Sequence, residues 1–396
     1  MTRENCVFTP DVPNDRPTIF IENKEITDFA AKIHASDASP EALERGKAFA
    51  DEITARYVGD FERAGVDQMV HVTTFMLIDG MIYMTYYANT ANSAENPLYQ
   101  TARLAIRPKD DPDGLTILDI QSAGDECGGR PVEMVYDTIM ARVDADTLMV
   151  LWTAKVGGNY YRLCRPYSIS EGKLGGILVN RLKVGDVIND FSTTGISSAL
   201  AANGIGCRKM FSDIGIMQKF TYRMENGEKW YYTGAYSGYM TMLIKSRDFV
   251  TWEYVSQPDF DCMSHWENTV TVFAGKIWYC VRQQPETPYC FLTCYDPDSD
   301  TWAKPVLIED CQSRSDFIIW QDKLYLIYAP IDREHIGFVR VNTDDPAKSE
   351  IMMQAKMHTS CFYPFVQFFG DGLAMSYTVD RKHVRLAEFS MEKYVD

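Results

Sequence analysis

The feature that most constrains this chain is a recurring unit: an inner segment that is polar where it begins and apolar after, a tight polar turn, and an aromatic-rich second segment. It is clearest over Trp266 to Cys280, Asp316 to Tyr328 and Tyr363 to Tyr377. Trp230, Trp278, Tyr325 and Ala374 hold equivalent places about 47 to 49 residues apart, the interval of a propeller blade. One such unit cannot bury both its faces, so copies must pack radially about an axis, and the starts of the inner strands then converge on one central pocket. The expected fold is therefore all-β, an approximately six-bladed β-propeller.

The blades are expected to begin near His71, Arg130, Arg208, His265, Arg314 and His358. From Val66 onward, short strand patterns alternate with turns such as Ile78-Asp79-Gly80, Glu225-Asn226-Gly227 and Gly370-Asp371-Gly372. Upstream, Pro40 to Ala64 has good helix formers at helical spacing behind a Ser39-Pro40 start signal, and reads as one helix outside the ring. The organisation expected is an N-terminal segment, 1–65, packed on a catalytic propeller, 66–396. Pro17 to Ile21 is expected to supply the outer strand of the last blade, because the chain stops soon after Leu386-Ala387-Glu388-Phe389 and a free sheet edge would otherwise remain. The Gly-, Ser-, Asn- and Ala-rich insertion between Ser170 and Gly206 is read either as a cover for the pocket mouth or as a surface excursion.

A formal net charge of −16 without a basic tract repels a phosphate backbone, which excludes nucleic acid as the expected partner. No stretch approaches the roughly 20 apolar residues that span a bilayer, so no membrane is expected. Met1 to Asp15 lacks the pattern of a secretory signal. The ten cysteines show no close CxxC pairs and several sit in apolar strand patterns; they read as reduced, buried thiols of a cytoplasmic protein, with no metal site and no cofactor. Nothing in the sequence fixes an oligomeric state.

Six inner-strand starts in one ring would gather three arginines, three histidines and several carboxylates around a single cavity. Unpaired charge on central strands is costly, and a functional pocket is where it is tolerated. The planar guanidinium fork suits a carboxylate, so Arg130, Arg208 and Arg314 are expected to cradle a carboxylate-bearing ligand such as a sialic or uronic acid. Structural ion pairs to Asp213, Glu267 or Asp316 are the competing explanation. Trp266, Tyr86, Tyr87 and Tyr236 are placed near the mouth, either as stacking faces for a sugar or as filling between blades.

The second-strand pattern, the blade number and the segment Ser246-Arg247-Asp248-Phe249-Val250-Thr251-Trp252, a degenerate S-x-D-x-G-x-T-W Asp box, resemble the sialidase-like β-propellers of carbohydrate-active enzymes. Asp296 to Trp302 is a weaker echo of the box, and the resemblance runs over roughly Val66 to Phe389. It implies a glycoside hydrolase in which an arginine triad maps onto Arg130, Arg208 and Arg314. The family's Arg-Ile-Pro signature has no counterpart, Arg130-Pro131 being its nearest approach. The resemblance also implies that Tyr363 is a tyrosine nucleophile with Glu267 as its base.

A glycosidase needs one group to protonate the leaving oxygen and another to act at the anomeric carbon, and Asp213, Glu267 and Asp316 are the carboxylates best placed for this. The expected activity is exo-acting hydrolysis that removes an acidic sugar from an oligosaccharide. The rival is a polysaccharide lyase cleaving beside a uronate by β-elimination, for which His71, His265, His358 and Tyr363 would move protons and an arginine would hold the enolate. A non-catalytic carbohydrate-binding propeller is the remaining alternative.

Overall fold

The computed structural model describes residues 6–12, 16–210, 213–217, 219–284 and 286–395, the Trp266 side chain excepted. The expected secretory-signal-free start over Met1 to Asp15 therefore lies partly outside the described residues. Among the described residues six sheets, antiparallel apart from parallel edge pairings in blades 3 and 4, follow one another along the chain as blades of a β-propeller. Their inner strands are Met69–Ile78, Arg130–Arg142, Ile214–Ile216 with its continuation Thr221–Glu225, Ser264–Phe273, Asp316–Trp320 and Phe362–Phe369. Neighbouring sheets touch in sequence order, and Phe362–Phe369 of blade 6 lies against Met69–Ile78 of blade 1, returning the order to its start. Trp230, Trp278, Tyr325 and Ala374 all fall on second strands, as their spacing predicts.

Large aromatic side chains fill the wedges between blades. Trp252 packs with Phe191 and Ile214 between blades 2 and 3, and Trp278 packs with Phe317 and Tyr328 between blades 4 and 5. Burying such side chains contributes about 1.5–3 kcal/mol each, which makes these wedges the main stabilising layer of a sheet array with no other core. The degenerate Asp box forms the turn between Met240–Ser246 and Thr251–Ser256. Asp248 Oδ1 accepts from the Val250 and Thr251 backbone N–H groups, each at 2.8 Å. Phe249 stands at φ +60° where the repeat pattern has glycine, a conformation costly for a bulky side chain. Burial against Tyr231 and Trp252 holds it there.

The N-terminal region departs from expectation. Helix α1 spans Pro40–Ala55, capped by Ser39 Oγ accepting from Ala42 N at 3.2 Å, and buries Phe49, Ala50 and Ile53 against blades 5 and 6. It ends before Ala64 because Tyr57–Asp60 leaves it as a strand, pairing with His383–Phe389 as the outer strand of blade 6. Pro17 to Ile21 does not take that role. Phe20 instead bridges Cys207, and Ala31–Ile33 pairs in parallel with Val306–Ile308 on the edge of blade 4. The insertion after Ser170 extends blade 3 through the hairpin Arg181–Val184 and Val187–Asp190, with helix α2, Thr193–Ala202, packed on it. Cys6 and Cys127 form a disulfide, so the expectation that every cysteine is a reduced thiol fails for this pair. The other eight are free and buried.

Candidate active site

Four inner strands break register at the same level. The shifts fall between His71 and Thr74, Tyr136 and Ile139, Ser264 and Asn268, and Phe362 and Phe365. Val72, Asp137 and Tyr363 hold φ values of +55°, +54° and +54° at these bulges. Non-glycine residues in the left-handed region cost free energy, and bulges re-aim side chains beside functional sites. Here the bulges turn His71, Asp137, Glu267 and Tyr363 toward one another at the axis.

Tyr363 stands at the centre. Its ring stacks on His71 at 4.6 Å and is faced by the guanidinium groups of Arg314 and Arg333, each 4.9 Å from its centroid. Burial and the Glu267 charge push its hydroxyl up to about 12, against the opposing pull of Arg333, Arg282 and Arg314. Glu267 is buried and paired with Arg282. Burial alone would raise its carboxyl, but Arg282, Arg314 and the Tyr363 hydroxyl outweigh it and hold the group at about 2. Asp213 behaves in the opposite sense: burial raises it, as do Asp137, Glu95 and Glu267, against the pull of the Tyr136 hydroxyl. Two carboxyl groups of one cluster thus have proton affinities pushed apart, the pattern that separates an acid from a permanently ionised partner.

The surrounding groups hold this cluster in place. Asp137 accepts from Arg314 Nη2 at 2.8 Å and from the Tyr236 hydroxyl at 3.1 Å, and Arg162 Nη1 donates to its carbonyl at 2.8 Å. Glu95, on the loop after the second strand of blade 1, accepts from the Tyr87 hydroxyl and pairs with Arg381 at 2.9 Å. Arg314 Nε and Nη1 and Arg333 Nη1 are buried atoms with no hydrogen-bond partner among the described residues. His71 is fully buried, neither ring nitrogen has a hydrogen-bond partner among the described residues, and burial with Arg381, Arg333 and Arg314 nearby keeps it neutral. His265 is lowered to about 4 by burial and Arg282.

Of the residues expected from sequence, the axis cluster brings together Glu267, Asp213, Tyr363, His265, His71 and Arg314. Four others lie elsewhere. Arg130 is exposed at the outer start of a strand thirteen residues long, over the Phe8 ring at 4.9 Å; the bulge reaches the axis near Asp137 instead. Arg208 precedes its inner strand and is buried; it donates to the Phe260 carbonyl at 2.9 Å, while its Nε and Nη1 have no hydrogen-bond partner among the described residues, and it has no contact with Tyr363 of the kind Arg314 and Arg333 make. His358 is exposed and bonds Asp51 of helix α1 at 2.7 Å. Asp316 is wholly buried and already engaged by Lys219 at 3.1 Å and the Val366 N–H at 2.8 Å, which leaves it a structural tie between blades. Trp266 occupies the inner strand of blade 4, but its side chain lies outside the described residues. Tyr87 and Tyr236 border the cluster, whereas Tyr86 is buried with its hydroxyl on Asp67. Asp137, Arg282, Arg333 and Arg381 were missed, because none opens an inner strand in the repeat alignment.

The six-bladed array with a ring of arginines, carboxylates and a tyrosine at its axis has the fold of the sialidase-type propellers. No family model matches the chain, and no curated protein matches it significantly. Among solved structures, the NanB sialidase from Streptococcus pneumoniae superposes with a TM-score of 0.54 at 8% identity, over 85% of this chain and 71% of that one. The intramolecular trans-sialidase from Ruminococcus gnavus gives 0.53 at 9% identity, over 87% and 99%. A protein of unknown function from Dyadobacter fermentans gives 0.52 at 10% identity, over 84% and 97%. At such identities the likeness is one of fold.

Proposed function

We propose that this protein is a glycoside hydrolase that removes a terminal carboxylate-bearing sugar, such as a sialic or uronic acid, from oligosaccharides. The observation that carries the reading is Tyr363, held at a strained bulge beside Glu267 and flanked by two arginines with uncommitted N–H donors. Buried guanidinium donors without protein partners suit a bidentate anion, so Arg314 and Arg333 take the substrate carboxylate in place of the triad expected from sequence. The sialidase fold of the neighbours supports the same class of substrate.

In the forward step Asp213, whose proton affinity burial raises, protonates the leaving oxygen as the glycosidic bond breaks. The Tyr363 oxygen bonds to the anomeric carbon and its proton passes to Glu267. Glu267 is a weak base while Arg282 and Arg314 hold it near 2. A carboxylate bound at Arg314 takes up part of that positive charge and so raises the proton affinity of Glu267 when the proton must move. Water then attacks the glycosyl-tyrosine, with ionised Asp213 as base, and the proton returns from Glu267 to Tyr363.

One observation favours a second reading. His71, neutral and stacked on Tyr363, supplies with it the pair of proton-moving groups that β-elimination beside a uronate needs. The experiment that separates the two is incubation with sialyl, glucuronyl, galacturonyl and rhamnosyl-glucuronate oligosaccharides, followed by product mass and ultraviolet absorbance. Hydrolysis adds the mass of water and leaves no new chromophore. A new unsaturated-uronate band without added water replaces hydrolysis with elimination, and no turnover of any member removes both.

A further inference from the structure

The wedge between blades 4 and 5 holds three thiols that the proposed reaction does not use. Cys280 lies on the second strand of blade 4, Cys290 on its third strand, and Cys311 on the segment leading into blade 5. All three are buried, at 2%, 0% and 0% exposure. Their Sγ atoms lie within 4.8 Å of one another, and those of Cys280 and Cys290 are 3.4 Å apart. Trp278, Phe317 and Tyr328 enclose them.

A thiol packed merely as a small hydrophobe has no reason to seek other thiols, since aliphatic neighbours serve equally well. Cys164, Cys207, Cys262, Cys294 and Cys361 are buried in that way and belong to no such group. The three sulfurs here converge from three separate segments, and polar groups accompany them. Ser315 Oγ is 3.1 Å from Cys311 Sγ. The Tyr328 side chain, 1% exposed, belongs to the same buried cluster, and its hydroxyl has no hydrogen-bond partner among the described residues. A buried hydroxyl without a partner is costly unless a ligand or its sulfur shell takes up the bond.

We propose that Cys280, Cys290 and Cys311 bind one soft, thiophilic cation through three sulfurs, with Cu(I) the best fit. A metal about 2.3 Å from each sulfur in a trigonal plane sets the sulfurs about 4 Å apart, inside the observed range. Sulfur ligands select Cu(I), Zn(II) and iron–sulfur centres over hard cations. Zn(II) takes four ligands, and among the described residues the group offers no fourth cysteine, histidine or carboxylate, which leaves the three-coordinate ion. Each metal–sulfur bond forms as an S–H proton leaves to solvent, with no change in oxidation state. The spacing of the three along the chain has no CxxC element, so the sequence alone does not announce the site. Arg314 follows three residues after Cys311, so an ion here would stiffen the segment that carries the anion-binding arginine.

The test uses the full chain, handled anaerobically and offered one equivalent of Cu(I) or of Zn(II) in the presence of a competing chelator, then desalted and assayed for metal and protein. The expected result is about one Cu(I) per chain, a sulfur-only three-coordinate X-ray absorption spectrum, and a loss of at least about tenfold in affinity in Cys280→Ala and Cys311→Ala. Cys294→Ala, buried in the same wedge but outside the trio, should keep the metal and controls for general damage to the core. The proposal is overturned by wild-type protein that retains no Cu(I), by retention of Zn(II) in preference to Cu(I), or by equal retention in folded Cys311→Ala. The absorption spectrum of wild-type protein decides the case even if both variants fail to fold.

Discussion

Tyr363 and Glu267 sit on the inner strands of blades 6 and 4 yet share one charge environment, and their proton affinities are displaced in opposite directions. Glu267→Gln and Tyr363→Phe should each lower kcat by at least about a hundredfold, the scale of a lost acid–base or nucleophilic group, with circular dichroism unchanged. Asp213→Asn should cost as much on natural glycosides but much less on aryl glycosides, whose leaving groups depart without a proton. The pH profile follows from the same groups. The proposed mechanism needs Glu267 ionised and Asp213 protonated, so the acid limb of kcat/KM, which reports the free enzyme, is expected near 2 and its alkaline limb above the ordinary 3.8 of an aspartate, while the acid limb of kcat should lie higher because bound carboxylate raises Glu267. A stability signature accompanies it: because Glu267 is depressed when folded, its contribution is full above about 4.5 and is lost as pH falls through about 2. Urea midpoints measured over that window should fall in wild type and change less in Glu267→Gln. These residues were legible in the sequence because they lie on or beside inner-strand starts. Arg282 and Arg333 were not, since they come from a second strand and the loop after one, where the repeat carries no mark of function.

At the level of elements, the bulges explain why the repeat alignment found some site residues and displaced others. Where the strand opens close to its bulge, as at His71 and Tyr363, counting from the turn places the side chain correctly. Where the inner strand is long, as over Arg130–Arg142, the same count lands seven residues too early, on the outside of the blade instead of at Asp137. Helix α1 was visible through its cap and its apolar spacing, but its end depended on Tyr57–Asp60 finding a sheet edge some 330 residues away, a tertiary pairing that local propensity cannot register. Its seat is tight: a Cβ at Gly46 would enter the space of the Gln354 carbonyl on blade 5. Gly46→Ala should therefore destabilise by about 1–3 kcal/mol despite the better helix former, read as a lower urea midpoint. An unchanged or higher midpoint would mean that the helix rides free of the blade.

For the whole molecule, the blade spacing carried the architecture because each unit needs neighbours to bury its faces, whereas the N-terminal course over several blades left no periodic trace. The Cys6–Cys127 disulfide ties that course to blade 2 and closes a separation of 121 residues. Reduction should lower the thermal midpoint, with a loss of about 2–4 kcal/mol, and Cys127→Ser should show no dependence on reductant. The active cluster shares no residue with this tie, so turnover measured below the transition should survive reduction. Tyr363 as nucleophile in the hydrolysis of an acidic sugar is the central proposal, and intact-mass measurement after brief exposure to a fluorinated sialosyl or uronosyl fluoride tests it directly. The expected result is a single glycosyl adduct, mapped to Tyr363 by peptide fragmentation and absent in Tyr363→Phe. Turnover of acidic glycosides with an adduct on another residue, or undiminished turnover by Tyr363→Phe, would contradict it.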